Sequence, residues 1–163
     1  MINEKLLSKK YEVRFIKNTD IDDVYHLCIE NNLYYKYHPP VVTHKTIEED
    51  MTILPPNKTL NDKYFVGFWD NNKLIAIMDL ILDYPKEKVA FIGLFMSDVK
   101  VQRRGIGSDI IGEITSYLKS CGYNKIRLGV DKGNSQSFNF WNKNNFEVDT
   151  SYNGEYIVME KVI

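Results

Sequence analysis

Val101-Gln-Arg-Arg-Gly-Ile-Gly-Ser108 joins the apolar run Val89 to Met96 to a segment in which Ile106, Ile110, Ile111, Ile114, Tyr117, Leu118 and Cys121 recur at steps of three and four residues. The run reads as a strand, and the recurrence as an amphipathic helix ending near Gly122. Glycines in the joint let backbone N–H groups approach a ligand with no side chain in the way. The helix start adds unpaired donors and partial positive charge. Together these suit a phosphate or pyrophosphate, and two of the chain's four arginines, Arg103 and Arg104, lie there beside Lys100. A P-loop fails for want of a lysine after Gly107, and a dinucleotide fingerprint fails because position 110 is isoleucine. A tight strand-to-helix turn without a ligand is the simpler alternative, and the residues alone leave both open.

Around this joint the chain divides into two halves. All five prolines lie in the first 85 residues, so short helices and irregular connections are expected there. Val13 to Ile16 reads as a strand. Thr19 with Asp22, and Thr46 with Glu49, look like helix starts, the second helix stopping at Pro55-Pro56; Leu33-Tyr-Tyr-Lys-Tyr-His-Pro-Pro40 between them reads as an aromatic loop. Tyr64 to Trp69, Leu74 to Leu82 and Val89 to Met96, with turns at Asp70-Asn71-Asn72 and Tyr84-Pro85, predict an antiparallel meander. After the glycine loop, Lys125 to Val130 predicts a strand, Ser135 to Asn144 a short helix, and Phe146 to Val148 and Tyr156 to Val162 closing strands. Strand, helix and strand over about 40 residues imply a parallel βαβ crossover. The fold class is therefore α/β with a mixed sheet, in a single domain over residues 1–163.

Composition sets the outer limits. The 163 residues are 44% hydrophobic and 26% charged, ordinary for a globular chain with one sizeable core. A formal net charge of −1 disfavours a broad nucleic-acid surface. Two cysteines suit a reducing compartment, Met1 to Lys10 lacks a signal-peptide core, and the longest apolar run is far short of the ~20 residues of a membrane helix. A cytoplasmic protein with neither a nucleic-acid nor a membrane partner is expected. His26, His38 and His44 have neither helical HxxxH spacing nor paired cysteines, so no metal site is expected.

Gln102-Arg103-Arg104-Gly105-Ile106-Gly107 resembles the Q/R-x-x-G-x-G/A loop of the GNAT acetyltransferase superfamily. Asn134-Ser-Gln-Ser137-Phe-Asn-Phe140-Trp141-Asn-Lys143-Asn-Asn145-Phe146 is similar to the superfamily's N-x-x-A-x-x-F-Y-x-K-x-G-F pattern, and the order of elements agrees along essentially the whole chain. The resemblance implies a splayed sheet with acetyl-CoA as co-substrate and a small-molecule or protein amine as acceptor. A homodimer is compatible with it. It implies that Gln102, Arg103, Arg104, Gly105, Ile106, Gly107 and Ser108 hold the pyrophosphate. Phe95, Met96 and Ser97 would pair with the pantetheine arm, and a backbone N–H there would polarise the thioester. Asn134, Ser137, Trp141 and Lys143 would form the other wall, although Asn134 also suits a helix N-cap and Lys143 a solvated surface charge.

Departures from the pattern put the acid and base in doubt. Trp141 stands where the superfamily commonly has tyrosine, and an indole is no general acid; it reads as a packing residue, with thiolate protonation left to water or another tyrosine. Asn145 replaces the late glycine and tolerates a left-handed turn. No glutamate stands in Val89 to Ser97. Asp79, interrupting an apolar strand, is either a base whose pKa burial raises, or a carboxylate that faces outward or bonds to a neighbouring strand. Tyr35 falls where an acceptor wall is expected, though tyrosines there can equally cap the core. A non-catalytic CoA-binding sensory or assembly module, and a nucleotide-binding protein, are the competing readings.

Overall fold

The computed structural model describes residues 1–163. Seven strands form one sheet in the order β1-β2-β3-β4-β5-β7-β6: β1 Glu12–Phe15, β2 Lys63–Asp70, β3 Lys73–Ile81, β4 Val89–Ser97, β5 Lys125–Asp131, β6 Glu147–Val148 and β7 Tyr156–Val162. Only β4 and β5 are parallel; every other pairing is antiparallel. Five α-helices accompany them: α1 Ile21–Ile29, α2 Asn32–Tyr37, α3 His44–Asp50, α4 Ile106–Ser120 and α5 Ser135–Lys143. This is the mixed α/β architecture expected from the sequence.

The sheet is buried on both faces, which is why β2 and β3 read as near-continuous apolar runs. One face packs Val66, Phe68, Met78 and Leu80 against Ile110, Ile111, Ile114 and Leu118 of α4 and Trp141 of α5. The other packs Phe65 and Ile77 against Val24 and Cys28 of α1 and Ile47 of α3. The β2–β3 hairpin turns on Asn71 (φ 47°) and Asn72 (φ 65°), the left-handed pair that a two-residue turn requires. At the end of α4, Gly122 at φ 89° lets Tyr123 N–H donate to the Leu118 carbonyl and Gly122 N–H to that of Lys119, each at 3.0 Å.

Three local expectations are corrected. Thr19 does not cap α1; the Asp20 carboxylate accepts from Lys17 N–H at 2.8 Å and pairs with Arg14 at 2.7 and 2.9 Å. Thr43, not Thr46, caps α3, accepting from Thr46 N–H at 3.1 Å, and α3 ends at Asp50, ahead of Pro55. Leu33 to Tyr37 is helical, which brings the Tyr34 and His38 rings together one turn apart, tilted at 33° with centroids 5.2 Å apart. The chain leaves α2 at His38, where Pro39 disfavours helical backbone.

Hydrogen bonds from Arg14 hold the buried Asp20 carboxyl below its usual range, against the opposing effect of burial. A depressed folded-state pKa contributes stability above the unfolded value of ~3.9, lost as pH falls through the lower folded value. In urea denaturation, Asp20→Asn is expected to cost roughly 1.5–3 kcal/mol at pH 7. The gap from wild type should close as pH drops below about 4.

Candidate active site

β4 carries one residue more than β3 can pair. Asp79 is opposite Leu94 and Leu80 opposite Ile92, so Gly93 is a β-bulge. Pairing of β4 with β5 stops just before it, at Ile92 with Leu128, while β5 stays paired with β7 as far as Asp131. The two strands therefore part and leave a cleft of about 290 Å³, with Gly93, Leu94 and Phe95 on one side and Gly129, Val130 and Asp131 on the other. Asn134, Ser137 and Trp141 close one end, and Tyr34, His38 and Tyr156 also line it.

Beyond the bulge the β4 edge facing the cleft has no strand partner. Asp98 N–H bonds β3 through the Ile75 carbonyl at 2.9 Å, whereas the Ser97 carbonyl turns the other way and accepts from Asn31 Nδ2 and Gln102 Nε2, both at 3.1 Å. Strand alternation then directs the polar backbone of Phe95 into the cleft and that of Met96 toward β3. Of the three residues expected to meet a pantetheine arm, Phe95 has free backbone groups, Met96 does not, and the Ser97 carbonyl is occupied.

Between β4 and α4 the chain folds as a nest. Arg103 (φ 60°) and Gly105 (φ 81°) are left-handed, and no backbone N–H from Gln102 to Ser108 donates to a protein acceptor. The first bond of the turn runs from Asp109 N–H to the Gly105 carbonyl at 2.9 Å. Successive N–H groups so arranged, at the start of a 15-residue helix, form an anion cradle. The two glycines differ in role. Nothing lies within 4 Å of a Cβ placed on Gly105, whereas one on Gly107 would meet the Phe140 ring at 3.1 Å. Gly105 thus supplies open backbone, and Gly107 brings α4 against α5. Lys100, Arg103 and Arg104 are exposed around the loop. Side chains of the loop act as ties: Gln102 Nε2 donates to Asn31 Oδ1 at 2.9 Å, and Ser108 Oγ accepts from Asn144 Nδ2 at 3.2 Å. Asn31 was not marked by the sequence, because its partners lie 66 and 71 positions away.

Asn134 is buried and caps α5, its Oδ1 accepting from Ser137 N–H at 3.1 Å while its amide nitrogen has no protein acceptor. Trp141 is buried edge-on against Phe140 and Phe146, at 5.0 Å each, and against Phe95 at 6.1 Å. Asn145 takes the left-handed turn at φ 64°. Lys143 is exposed at the end of α5 and lies outside the cleft lining. Tyr35 also lies outside it, its hydroxyl turned to Cys28, and burial pushes both groups upward in pKa.

Asp79 lies beneath the bulge, where a Cβ on Gly93 would come within 3.0 Å of its Oδ2. Both its carboxylate oxygens accept from Lys63 Nζ at 2.8 Å, and the Lys63 side chain is only 2% exposed. Burial raises the Asp79 pKa and the lysine opposes the rise. This is the neighbouring-strand alternative raised by the sequence: the carboxylate that interrupts β3 neutralises a buried ammonium.

The Acetyltransferase (GNAT) family profile matches residues 24–146. The chain belongs to the GNAT acetyltransferase family. Acetyl transfer is the chemistry that membership supports. Among solved structures, the PaiA N-acetyltransferase of Thermoplasma acidophilum in complex with coenzyme A is similar, with 23% identity, coverage of 94% of this chain and 99% of that one, and a TM-score of 0.68. An acetyltransferase from Thermus thermophilus gives 14% identity, 94% and 97% coverage and a TM-score of 0.76. The ribosomal-protein-S18-alanine N-acetyltransferase of Escherichia coli gives 16% identity, 94% coverage of both chains and a TM-score of 0.65. No curated protein sequence matches significantly. At these identities the structural likenesses speak to the fold.

Removing one member of a buried ion pair leaves the other unpaired, at a cost of about 3 kcal/mol or more. Asp79→Asn should lose that stability in chemical denaturation, and the double variant Asp79→Asn/Lys63→Met should recover most of it. Equal destabilisation in both variants would show that the pair is not what holds Lys63 in the fold.

Proposed function

We propose that this domain of residues 1–163 transfers the acetyl group of acetyl-CoA to a primary amine of a small molecule or protein by direct attack in a ternary complex. The observation that carries the reading is the run of unpaired backbone N–H groups from Gln102 to Ser108 at the start of α4. A pyrophosphate satisfies those donors, and Lys100, Arg103 and Arg104 add favourable charge. From there the pantetheine arm follows the open edge of β4 past Phe95, opposite Asn134, Ser137 and Trp141. The CoA complex of the structurally similar PaiA enzyme supports the same assignment.

Acetyl transfer asks for an oriented amine, donors for the tetrahedral oxyanion and a route for the thiolate's proton. The free N–H of Phe95 supplies a donor at the cleft wall. Trp141 shields the thioester from water with an apolar ring and supplies no acidic hydroxyl, so the departing thiolate takes its proton from the amine or from water. Acetyl-CoA and a free Cys28 and Cys121 both suit the cytoplasm.

The loop gives the direct test. Gly105→Val places a branched side chain in the open space where the pyrophosphate approaches, in a backbone conformation that valine disfavours. Acetyl-CoA affinity measured by calorimetry should fall by about tenfold or more, a loss of about 1.4 kcal/mol. Undiminished affinity in a folded variant would reject the loop as the binding site. Thiol release from acetyl-CoA with primary amines separates an enzyme from a binding module.

A further inference from the structure

We propose that His38, held by Asp131, is the base that takes the proton from the acceptor amine. The proposal rests on the acetyl-transfer reading and adds a catalytic residue to it. His38 Nδ1 lies 3.1 Å from Asp131 Oδ1, across 93 positions of sequence. An ionised carboxylate only accepts hydrogen bonds, so Nδ1 carries the hydrogen and Nε2 keeps a free lone pair. The Asp131 side chain is 16% exposed and the His38 side chain 45%, so a largely buried carboxylate orients an imidazole open to the cleft.

Placement of the pair follows from the fold. Asp131 is the last residue of β5, opposite Tyr156 of β7, at the wide end of the cleft. His38 ends α2, and α2 is seated on the turn after β5, where a Cβ on Gly133 would come within 3.3 Å of the Tyr37 ring. Both residues line the same cleft as Gly93, Leu94 and Phe95, where the thioester carbonyl is placed by the reading above.

The other titratable groups facing this point are poorer bases at neutral pH. The Tyr34 ring of α2 lies tilted against that of His38, and burial pushes its hydroxyl upward in pKa. Tyr156 of β7 is a phenol. Asp79 has both oxygens bound by Lys63. Asp50 of α3 lies within electrostatic reach of His38 but outside the cleft lining, and burial pushes its carboxyl upward in pKa.

The acceptor ammonium gives one proton to His38 Nε2, and the freed lone pair forms the C–N bond at the thioester carbonyl. The tetrahedral intermediate collapses with cleavage of the C–S bond, and the thiolate takes the second amine proton, directly or through water. Imidazolium then releases its proton to solvent, so ammonium and thioester give amide, thiol and one proton. Asp131 acts through His38, as a positioning residue that fixes the tautomer.

Kinetics of wild type, His38→Ala, His38→Gln and Asp131→Asn with benzylamine, 1,4-diaminobutane and an alanine-terminated peptide test the assignment. Both His38 variants should lose about 10²-fold in kcat, the usual scale of general-base catalysis, with unchanged acetyl-CoA affinity. The acid limb of the pH–rate profile should vanish in His38→Gln, and added imidazole should restore part of the rate in His38→Ala. Asp131→Asn should lower kcat and alter the same limb. Wild-type kcat in both His38 variants, or no imidazole rescue alongside an unchanged pH profile, would overturn the role of His38 and leave acetyl transfer standing. A wild-type protein that binds acetyl-CoA and acetylates none of the three amines would overturn acetyl transfer to such amines, and with it this assignment.

Discussion

A strand pair can only separate where its hydrogen bonds have somewhere else to go, and in this fold the separation is set by one residue. Gly93 has no partner on β3, and β4 stops pairing with β5 at Ile92. Each strand stays anchored on its far side, β4 to β3 and β5 to β7. The parted edges keep their polar groups in a cleft instead of a closed ladder. A Cβ at position 93 would sit in tight contact with the Asp79 carboxylate, 3.0 Å from its Oδ2. The bulge, the Asp79–Lys63 pair and the cleft are thus parts of one arrangement.

The same divergence explains why the site draws on both layers. α4 and α5 cover one face of the sheet; α5 brings Asn134 and Trp141 into the cleft lining, and the loop's Gly107 packs beside Phe140 and Phe95. α1 to α3 cover the opposite face and bring Tyr34 and His38 to the other side of the opening. Asn31 and Gln102 join the two where they meet the end of β4, through the shared Ser97 carbonyl. In the proposed ternary complex, a co-substrate held by the loop and an amine entering past α2 reach the cleft from different directions.

What the sequence disclosed follows the range of the interactions involved. β2, β3 and α4 are legible because each is long and periodic, and the glycine loop because its residues are contiguous. Asn134 is an N-cap and Trp141 a packing residue, both readable from local pattern. The helical form of α2 escapes such reading: six residues rich in tyrosine carry no apolar period. Asp79 stood out as a polar break in β3, but its lysine sits on another strand. The His38–Asp131 pair had no local signal at all, being made by the seating of α2 on the turn after β5. Gly93 did leave a trace, since a lone glycine inside a strand run marks a bulge or a close backbone approach.

The central claim is that the unpaired donors of the loop and the open edge of β4 receive one ligand. Amide hydrogen exchange in the presence and absence of coenzyme A tests it most directly. The amides from Gln102 to Ser108 and that of Phe95 have no strand or helix acceptor and should exchange fast in the free protein. Saturating coenzyme A should slow them together, by about tenfold or more. Binding that protects other segments and leaves these amides unchanged would contradict the account.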